Sequence, residues 1–462
     1  MEIVTETLLW AGWEFGAANL GDRRRTRRLV KTAAAVASQV GAAISSACGR
    51  AGALAVSRLF RRSESTLQAI VKPHIERTGE RCGGHDRILA VQDTTCLDYT
   101  WHKSARGLGP ITTEEKSRGL LMHSVMAFSR DRTPLGLLSI QVWAREEEAR
   151  GSRKDRHNRP VWEKESKKWL VGLSEAQANT REDQGLLVIG DRESDVYGLF
   201  VAPRRSNVDL LVRVAHDRAL AGEDEEFGYI RDALERAPIA GKYEVRVPRQ
   251  GSRAQRRATL DVRIRRAHLK APRHGVDKHS TKEVEVSLIW AREIAESEEE
   301  AALEWTLLCT EKIDGLSSAV EMIEAYTTRW GIEEFHRVLK SGCKVEQVQF
   351  DTIQAILPAI GVLAVVAWRV LYLTKYARSC PDADASKVAT EDEIAVLKGW
   401  LQAKGSKASV GTIKEFVRAV AMLGGFLARK SDGEPGTKTI WQGLRALEIL
   451  LMGYRLAARK KI

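Results

Sequence analysis

The chain has 462 residues, 44% hydrophobic and 6% aromatic, enough for more than one domain with a large core and too apolar for a disordered chain. Lys and Arg outnumber Asp and Glu by 73 to 61, giving a net charge of +12 and a pI near 9.4. That balance favours a polyanionic partner, nucleic acid first, because clustered cations neutralise phosphates and release counterions. Six cysteines (Cys48, Cys82, Cys96, Cys309, Cys343 and Cys380) stand singly with no Cys-x-x-Cys, so neither a zinc site nor a disulfide framework is indicated and a reducing cytoplasm is expected.

At the N-terminus, MEIVTETLLW carries Glu2 and Glu6 and no basic flank before a long apolar run, which argues against a secretory signal. Residues 1 to about 70 place apolar and small residues at helical spacing and read as a small helical bundle. Within LGDRRRTRRLVKTAAAVASQV, Asp22 suits the N-cap of a helix. Arg23, Arg24, Arg25, Arg27 and Arg28 then fall within about one and a half turns, too many for one buried face, so some point at solvent or at phosphate.

From Arg87 the pattern turns β-like. RILAVQD reads as a strand, and LLMHSVMAFS, the turn RDRTP and LGLLSIQVW read as a hairpin of longer strands. The mixed-charge stretch AREEEARGSRKDRHNRP is expected to be an exposed loop. GLLVIGDRESDVYGLF then supplies a buried strand ending at Asp191 with helix-forming sequence behind it. Between about 206 and 310 the runs DLLVRV, GKYEVRVP, ATLDVRIRRAHL, KEVEVSLIWAREI and EWTLLCTEK suggest a mainly antiparallel, arginine-rich sheet. From Leu316 the chain reads as helical to its basic end, with breaks around Cys380 to Ala385 and Ser431 to Lys438. Its longest apolar run, Ala355 to Ala367, contains Pro358 and is too short to span a bilayer.

The stretch SAVEMIEAYTTRWGIEEFHRVLKSG reads as one helix. With Tyr326 at zero and about 100° per residue, Arg329, Glu333, Arg337 and Lys340 fall at about −60°, −20°, +20° and −40°. Ile332, Phe335, Val338 and Leu339 take the opposite, core-facing side. A solvated face with an i,i+4 pair such as Arg329 with Glu333 accounts for the same spacing.

Asp93 and Asp191 each follow an apolar strand, and Glu333 lies among bases on that helix face. Hard divalent cations prefer carboxylate oxygens, and two such ions about 4 Å apart clamp the attacking and leaving oxygens of a phosphodiester. An aspartate that merely caps a strand or turn is the alternative for each Asp taken alone.

The DTT at Asp93, the GDRESD at Asp191 and the Y-x2-R-x3-E-x6-K at Tyr326, Arg329, Glu333 and Lys340 resemble the DDE transposases of bacterial cut-and-paste insertion sequences. More narrowly, they resemble the insertion-sequence-four family, which includes the transposon-five transposases. LGDRRRTRRLV, EKSRGLLMHSV at 115–125, KESKKWL at 164–170 and LGGFLARKSDGEPGTKTIW at 423–441 extend the resemblance over nearly the whole chain. Gly331, Arg337 and the pair Leu120 and Leu121 depart from the transposon-five pattern, which has arginine, lysine and paired tryptophans there.

The resemblance implies an α/β fold, with a ribonuclease-H-like catalytic core carrying a β-rich insertion, flanked by helical N- and C-terminal domains. The boundaries implied are 1–70 for DNA binding, 71–371 for the core with its insertion at about 206–310, and 372–462 for dimerisation. It further implies Asp93, Asp191 and Glu333 as catalytic residues and metal ligands, with two Mg²⁺ ions that Mn²⁺ replaces. Tyr326, Arg329, Arg337, Lys340 and Arg213 would hold phosphates, Trp305 would stack on a flipped base, and Arg23, Arg24 and Arg27 would touch DNA. The partners implied are transposon-end inverted repeats, target DNA and a second copy of the chain, contacted chiefly through Gly411 to Tyr454. Neither a membrane nor a nucleotide cofactor is expected, and the setting is a bacterial cytoplasm at the nucleoid. Two other readings stay open: a noncatalytic DNA-binding inhibitor of transposition, and a domesticated nuclease that cuts without joining.

Overall fold

The structure, a computed structural model, describes residues 6–112, 114, 116–146, 165–247, 256–272, 283–294, 303–429 and 432–459. Residues 147–160 of the expected charged loop lie outside these, as do Glu115, Lys164, Lys430, Ser431 and the end of the basic terminus. In chain order the main elements are helices α1 (Glu6–Phe15), α2 (Arg23–Ser38), α3 (Ile44–Phe60) and α4 (Leu67–Cys82), then strands β1 (Arg87–Asp98), β2 (Gly109–Pro110), β3 (Arg118–Phe128) and β4 (Pro134–Trp143). Next come α5 (Lys167–Ala178), β5 (Gly185–Gly190), α6 (Tyr197–Phe200), β6 (Val208–Arg213), β7 (Leu220–Ala221) and α7 (Ile230–Arg236). Strands β8 (Ile239–Val247), β9 (Arg256–Leu269), β10 (Val284–Glu293) and β11 (Glu304–Cys309) precede α8 (Leu316–Thr327), α9 (Trp330–Arg337) and α10 (Ile353–Ser379). The chain ends with α11 (Glu391–Ala403), α12 (Ile413–Leu423) and α13 (Thr437–Arg459).

Two units divide these elements. The first comprises Met1–Gly84, Thr94–Arg150 and Gly331–Ile462, and the second His85–Asp93 and Gly151–Trp330. Strand β1 runs through both, its first half in the second unit and its last residues in the first. It does not stop at Asp93, as RILAVQD suggested, but continues through Thr94, Thr95 and Cys96 to Asp98.

In the second unit β5 pairs in parallel with β1 and with β6. The run GLLVIG is buried almost throughout, as a strand covered on both faces must be. DLLVRV, grouped by sequence with the antiparallel runs, is therefore a core strand, and the antiparallel part begins beyond it with β11 on β6, β10 on β11 and β9 on β10. Strand β8 on β9 alternates exposed and half-buried residues, so one of its faces stays open to solvent. This mixed sheet with helical N- and C-terminal regions is the α/β architecture expected.

In the first unit α10 is the central helix. It is 27 residues long, with a window of mean hydropathy 2.1, which suffices to cross a bilayer, yet 89% of that window is buried inside the protein. The apolar run expected to be short is thus the middle of a core helix. Trp368 on α10 donates to the Pro134 carbonyl at 2.9 Å and receives the Arg81 guanidinium over its ring at 4.4 Å. Arg81 in turn holds Glu14 at 2.8 Å, and Glu14 accepts from His74 Nδ1 at 2.6 Å. His74 Nε2 accepts the Leu137 N–H at 3.1 Å, which fixes the neutral tautomer. One buried polar network therefore ties α1, α4, β4 and α10, and its loss would leave charge stranded in the core.

The pH dependence of stability follows from that network. Burial holds the His74 imidazole below its ordinary value of 6.5, and burial holds His336 down at about 3. Unfolded imidazoles bind protons more readily than these, so stability is fully present above about pH 6.5 and is lost as the pH falls toward the folded values. The urea midpoint of the intact chain is expected to drop steadily from pH 7 to pH 4, and to drop less in a His74→Gln variant. A flat midpoint across that range would contradict this packing.

Candidate active site and nucleic-acid interface

The second unit brings three of the sequence-expected residues into one row. The last β1–β5 pair in register is Val91 with Ile189, and the last β5–β6 pair is Gly190 with Val212. Carrying both registers forward sets Asp93 beside Asp191 and Asp191 beside Arg213, on the same face because side chains alternate along each strand. Asp191 keeps an extended backbone (φ −81, ψ −167), which continues the strand path. Asp191 and Arg213 thus emerge at the carboxyl ends of β5 and β6, and Asp93, inside β1, stands level with them just past the last residue of β1 that pairs with β5, on the edge of the parallel pairing where open α/β sheets bind ligands. Asp93 and Asp191 are both half-buried.

The turn after β5 explains the GDRESD sequence. A Cβ on Gly190 would sit 2.2 Å from the Ser194 hydroxyl oxygen, so only glycine admits the turn. Ser194 donates that hydroxyl to the Asp191 carbonyl at 2.6 Å, and the Glu193 N–H donates to the Asp191 carboxylate at 2.9 Å. Burial pushes the Asp191 carboxyl above its ordinary range, the Glu193 carboxylate adds to the rise, and the Glu193 N–H, Arg329 and Lys168 oppose it. Lys168 is held to Glu193 at 3.2 Å.

The end of α8 and the turn after it contribute Tyr326 and Arg329 to the same cluster. Burial raises the Tyr326 phenol, while the Arg329 and Arg213 guanidiniums pull it down. Tyr326 Oη and Arg213 Nε are buried and make no hydrogen bond of good geometry to a described residue, although the Arg213 guanidinium lies close enough to the phenol to act on it; a ligand that satisfied both atoms would remove that cost. Arg213 donates from Nη2 to the Glu304 carbonyl at 3.2 Å, and Trp305, next in β11, is half-buried, neither a core residue nor a freely exposed one.

The expected single helix is interrupted. Thr328 and Arg329 form a turn with N–H bonds to Ala325 and Tyr326, three residues back, and Val338–Gly342 is a π turn closed by Cys343 N–H to the Val338 carbonyl at 2.7 Å. Uniform rotation of about 100° per residue therefore fails at both places, and the face expected from sequence is only approximate. In the first unit α9 carries Glu333 half-buried and Arg337 exposed, and Lys340 sits on the π turn. Lys340 is paired with Glu346 at 3.4 Å, and Glu346 also accepts the Asp98 N–H at 3.0 Å. Gly331, one of the departures from the family pattern, has a reason: a Cβ there would lie 2.7 Å from the Phe128 ring. Leu120 and Leu121, another departure, are buried in β3.

Asp22 caps α2 as expected, accepting the Arg24 N–H at 2.7 Å. Arg23, Arg24, Arg27 and Arg28 are exposed, whereas Arg25 is occupied by Glu64 at 2.7 Å and the Leu20 carbonyl at 2.9 Å. Arg23, Arg27 and Lys31, one turn apart, line a groove whose floor includes Leu8 and Val30. Lys31 was missed by sequence reasoning, although the i,i+4 spacing from Arg27 announces it.

Asp195 and Arg218 were missed as well. Asp195 is buried and accepts from Ala215 N–H at 2.8 Å, His216 N–H at 3.1 Å and Arg218 Nε at 2.8 Å. It pins the segment after β6 to the turn after β5, and so fixes Arg213 relative to Asp191. A second acid four positions beyond Asp191 was the available signal.

Among the described residues no group of three or more His, Cys, Asp or Glu side chains is gathered closely enough to hold a metal ion. The second unit does supply two aspartates of matching register, hard oxygen donors of the type that divalent cations take, and the elevated Asp191 carboxyl is one that a cation would relieve.

Three protein-family models match the chain: a transposase DNA-binding model over residues 8–64, a transposase DDE domain model over 164–368, and a transposon-five transposase dimerisation model over 365–461. The chain therefore carries the DNA-binding, DDE and dimerisation domains of a DNA transposase. A DDE domain implies the use of a divalent metal. Among solved structures the chain is similar to the cryo-EM structure of the piggyBac transposase synaptic complex with hairpin DNA, at 12% identity and a TM-score of 0.34. The match covers 84% of this chain and 58% of that one.

Replacing Asp195 by alanine strips Arg218 of its buried partner and frees two backbone N–H groups. The variant is expected to lose about 3–5 kcal/mol of stability by urea titration, and a loss below about 1 kcal/mol would mean that the pair does not hold this turn.

Proposed function

We propose that the protein is a cut-and-paste transposase of the insertion-sequence-four type that acts as a dimer on the inverted repeats at the ends of its own element. The observation that carries this reading is the row of Asp93, Asp191 and Arg213 where the parallel pairing of β1, β5 and β6 ends, with Tyr326 and Arg329 clustered beside Asp191.

Asp93, Asp191 and Glu333 are the catalytic carboxylates and the metal ligands. Two Mg²⁺ ions, or Mn²⁺ in their place, would supply Lewis acidity for both the attacking and the leaving oxygen. Arg213, Tyr326 and Arg329 hold the phosphates flanking the cut, and the Tyr326 hydroxyl and Arg213 Nε are the atoms that a phosphate oxygen would satisfy. Arg337 and Lys340 add charge from the following helix, Lys340 exchanging Glu346 for phosphate.

Hydrolysis at each transposon end frees a 3′-hydroxyl, which attacks the opposite strand to close a hairpin. Water reopens the hairpin, and the 3′-hydroxyl then joins target DNA. Trp305 stacks on the base extruded at the hairpin, worth about 1–3 kcal/mol. Arg23, Arg24 and Arg27 contact the terminal repeat along the exposed side of α2. The exposed apolar side chains of α13, among them Ile449, Met452 and Leu456, suit burial against a second copy. The setting is the cytoplasm of a bacterium, at the nucleoid.

Labelled transposon-end duplex incubated with the purified protein and Mg²⁺ or Mn²⁺ is expected to be nicked, converted to hairpin and joined to target. Asp93→Ala, Asp191→Ala and Glu333→Ala should each lower cleavage at least a thousandfold, and variants that cut like the parent would refute the triad. Binding without cleavage by the parent would favour a noncatalytic inhibitor, and cleavage without joining a nuclease. Trp305→Ala should nick normally but form at least tenfold less hairpin.

A further inference from the structure

A basic cavity of about 560 Å³ lies wholly within the first unit, and it shares no lining residue with the α2 groove. Its wall comes from three separate stretches of chain: the turn after α2 (Val40, Gly41), the end of α9 with its π turn and Lys344, and the first turns of α13. Four cations line it, Arg337, Lys344, Lys438 and Arg445, and no carboxylate does. Among the described residues Lys344, Lys438 and Arg445 form no ion pair, and Arg337 reaches Thr437 Oγ1 at 3.3 Å and Glu334 at 3.9 Å.

The cavity is built rather than incidental. Gly41, in the left-handed region at φ +84, sits so close that a Cβ would meet the Gly342 carbonyl oxygen at 2.7 Å. Gly342 is in turn pressed on the Trp441 indole, where a Cβ would lie 3.0 Å away. Lys344 holds a positive φ of 53, unusual for a lysine, so the backbone is fixed at the point that presents its side chain. The first turn of α13 carries no acid, so nothing there offsets the positive end of that helix. Four like charges brought together from separate segments repel one another, and an anion bound among them would relieve that repulsion.

We propose that this cavity binds a backbone phosphate of duplex DNA and so forms a further anchor for the substrate, independent of base sequence. The proposal rests on the reading of the protein as a transposase in naming DNA as the anion's source. Arg337 and Lys344 form one side of the clamp, and Lys438 and Arg445 the other. Because phosphate contacts position a protein and carry no sequence information, the anchor strengthens binding to any duplex equally.

The test uses the full chain and fluorescence anisotropy, with one transposon-end duplex and one scrambled duplex, from 50 to 200 mM salt. The double variant Lys438→Ala, Arg445→Ala changes exposed side chains only and should keep the parent's thermal midpoint. It is expected to bind both duplexes at least tenfold more weakly. Its slope of log K against log salt should be shallower by about 0.9, the share of the one phosphate that is no longer neutralised. Lys344→Ala, from a different stretch of chain, should weaken both duplexes alike and make the slope shallower by no more than about 0.9, and decides the matter if the double variant is unstable. Cleavage of transposon ends by the parent, followed beside the binding, tests the catalytic reading separately from this anchor.

Parent-like affinity and slope in both variants would overturn the proposal, and so would a loss confined to one of the two sequences, which would mean that bases are being read. Unchanged DNA binding together with inorganic phosphate raising the thermal midpoint of the parent alone would assign the cavity to a free anion, against the proposal. A parent that binds neither duplex would overturn the transposase reading and this one with it.

Discussion

The register of three parallel strands is the constraint on which the rest depends. Once β5 lies between β1 and β6, side-chain alternation leaves no freedom in where Asp93, Asp191 and Arg213 emerge. A slip of one residue in either pairing would turn a side chain to the other face. The apolar run of β5, buried along its length, fixes that register through packing. Precision at the site is therefore supplied by hydrophobic burial some residues away, which is how a short carboxylate is held within the tolerance that metal-assisted phosphodiester chemistry requires.

Around that row the protein places its polar groups at some cost to stability. Asp191 is partly desolvated, Tyr326 Oη and Arg213 Nε are buried without a hydrogen bond of good geometry, and like charges are gathered on both the second unit's cluster and the first unit's cavity. Each arrangement costs stability in the isolated chain, and on the proposed function cations at the carboxylates and phosphates at the bases would offset that cost. Compensation comes from fully satisfied networks elsewhere, such as Asp195 with Arg218 and Glu14 with Arg81 and His74.

Much of this was legible in the sequence, for physical reasons that differ by element. Continuous apolar runs announced β1, β5 and the β3 and β4 hairpin, because burial on both faces writes that pattern directly. Asp22 was legible as a cap because only a short polar side chain closes that helix start. The extension of β1 beyond Asp93 was not legible, since Thr94, Thr95 and Cys96 suit a strand and a loop end equally. Nor was the π turn at Val338–Gly342, which arises from packing and has no composition of its own. DLLVRV could not be assigned to the parallel core from pattern alone, because parallel and antiparallel pairing differ in partner rather than in the strand's own sequence. The roles of Asp195, and of Lys438 and Arg445, depend on neighbours distant in sequence.

The central claim is that Asp93 and Asp191, set level by strand register, hold a divalent cation. It is tested most directly by titrating Mn²⁺ into the intact protein without DNA and following free Mn²⁺ by electron paramagnetic resonance. Asp93→Asn and Asp191→Asn should each weaken Mn²⁺ binding at least tenfold with the thermal midpoint of the apoprotein preserved, while Lys438→Ala leaves binding unchanged. Parent-like Mn²⁺ binding in both aspartate variants would contradict the account.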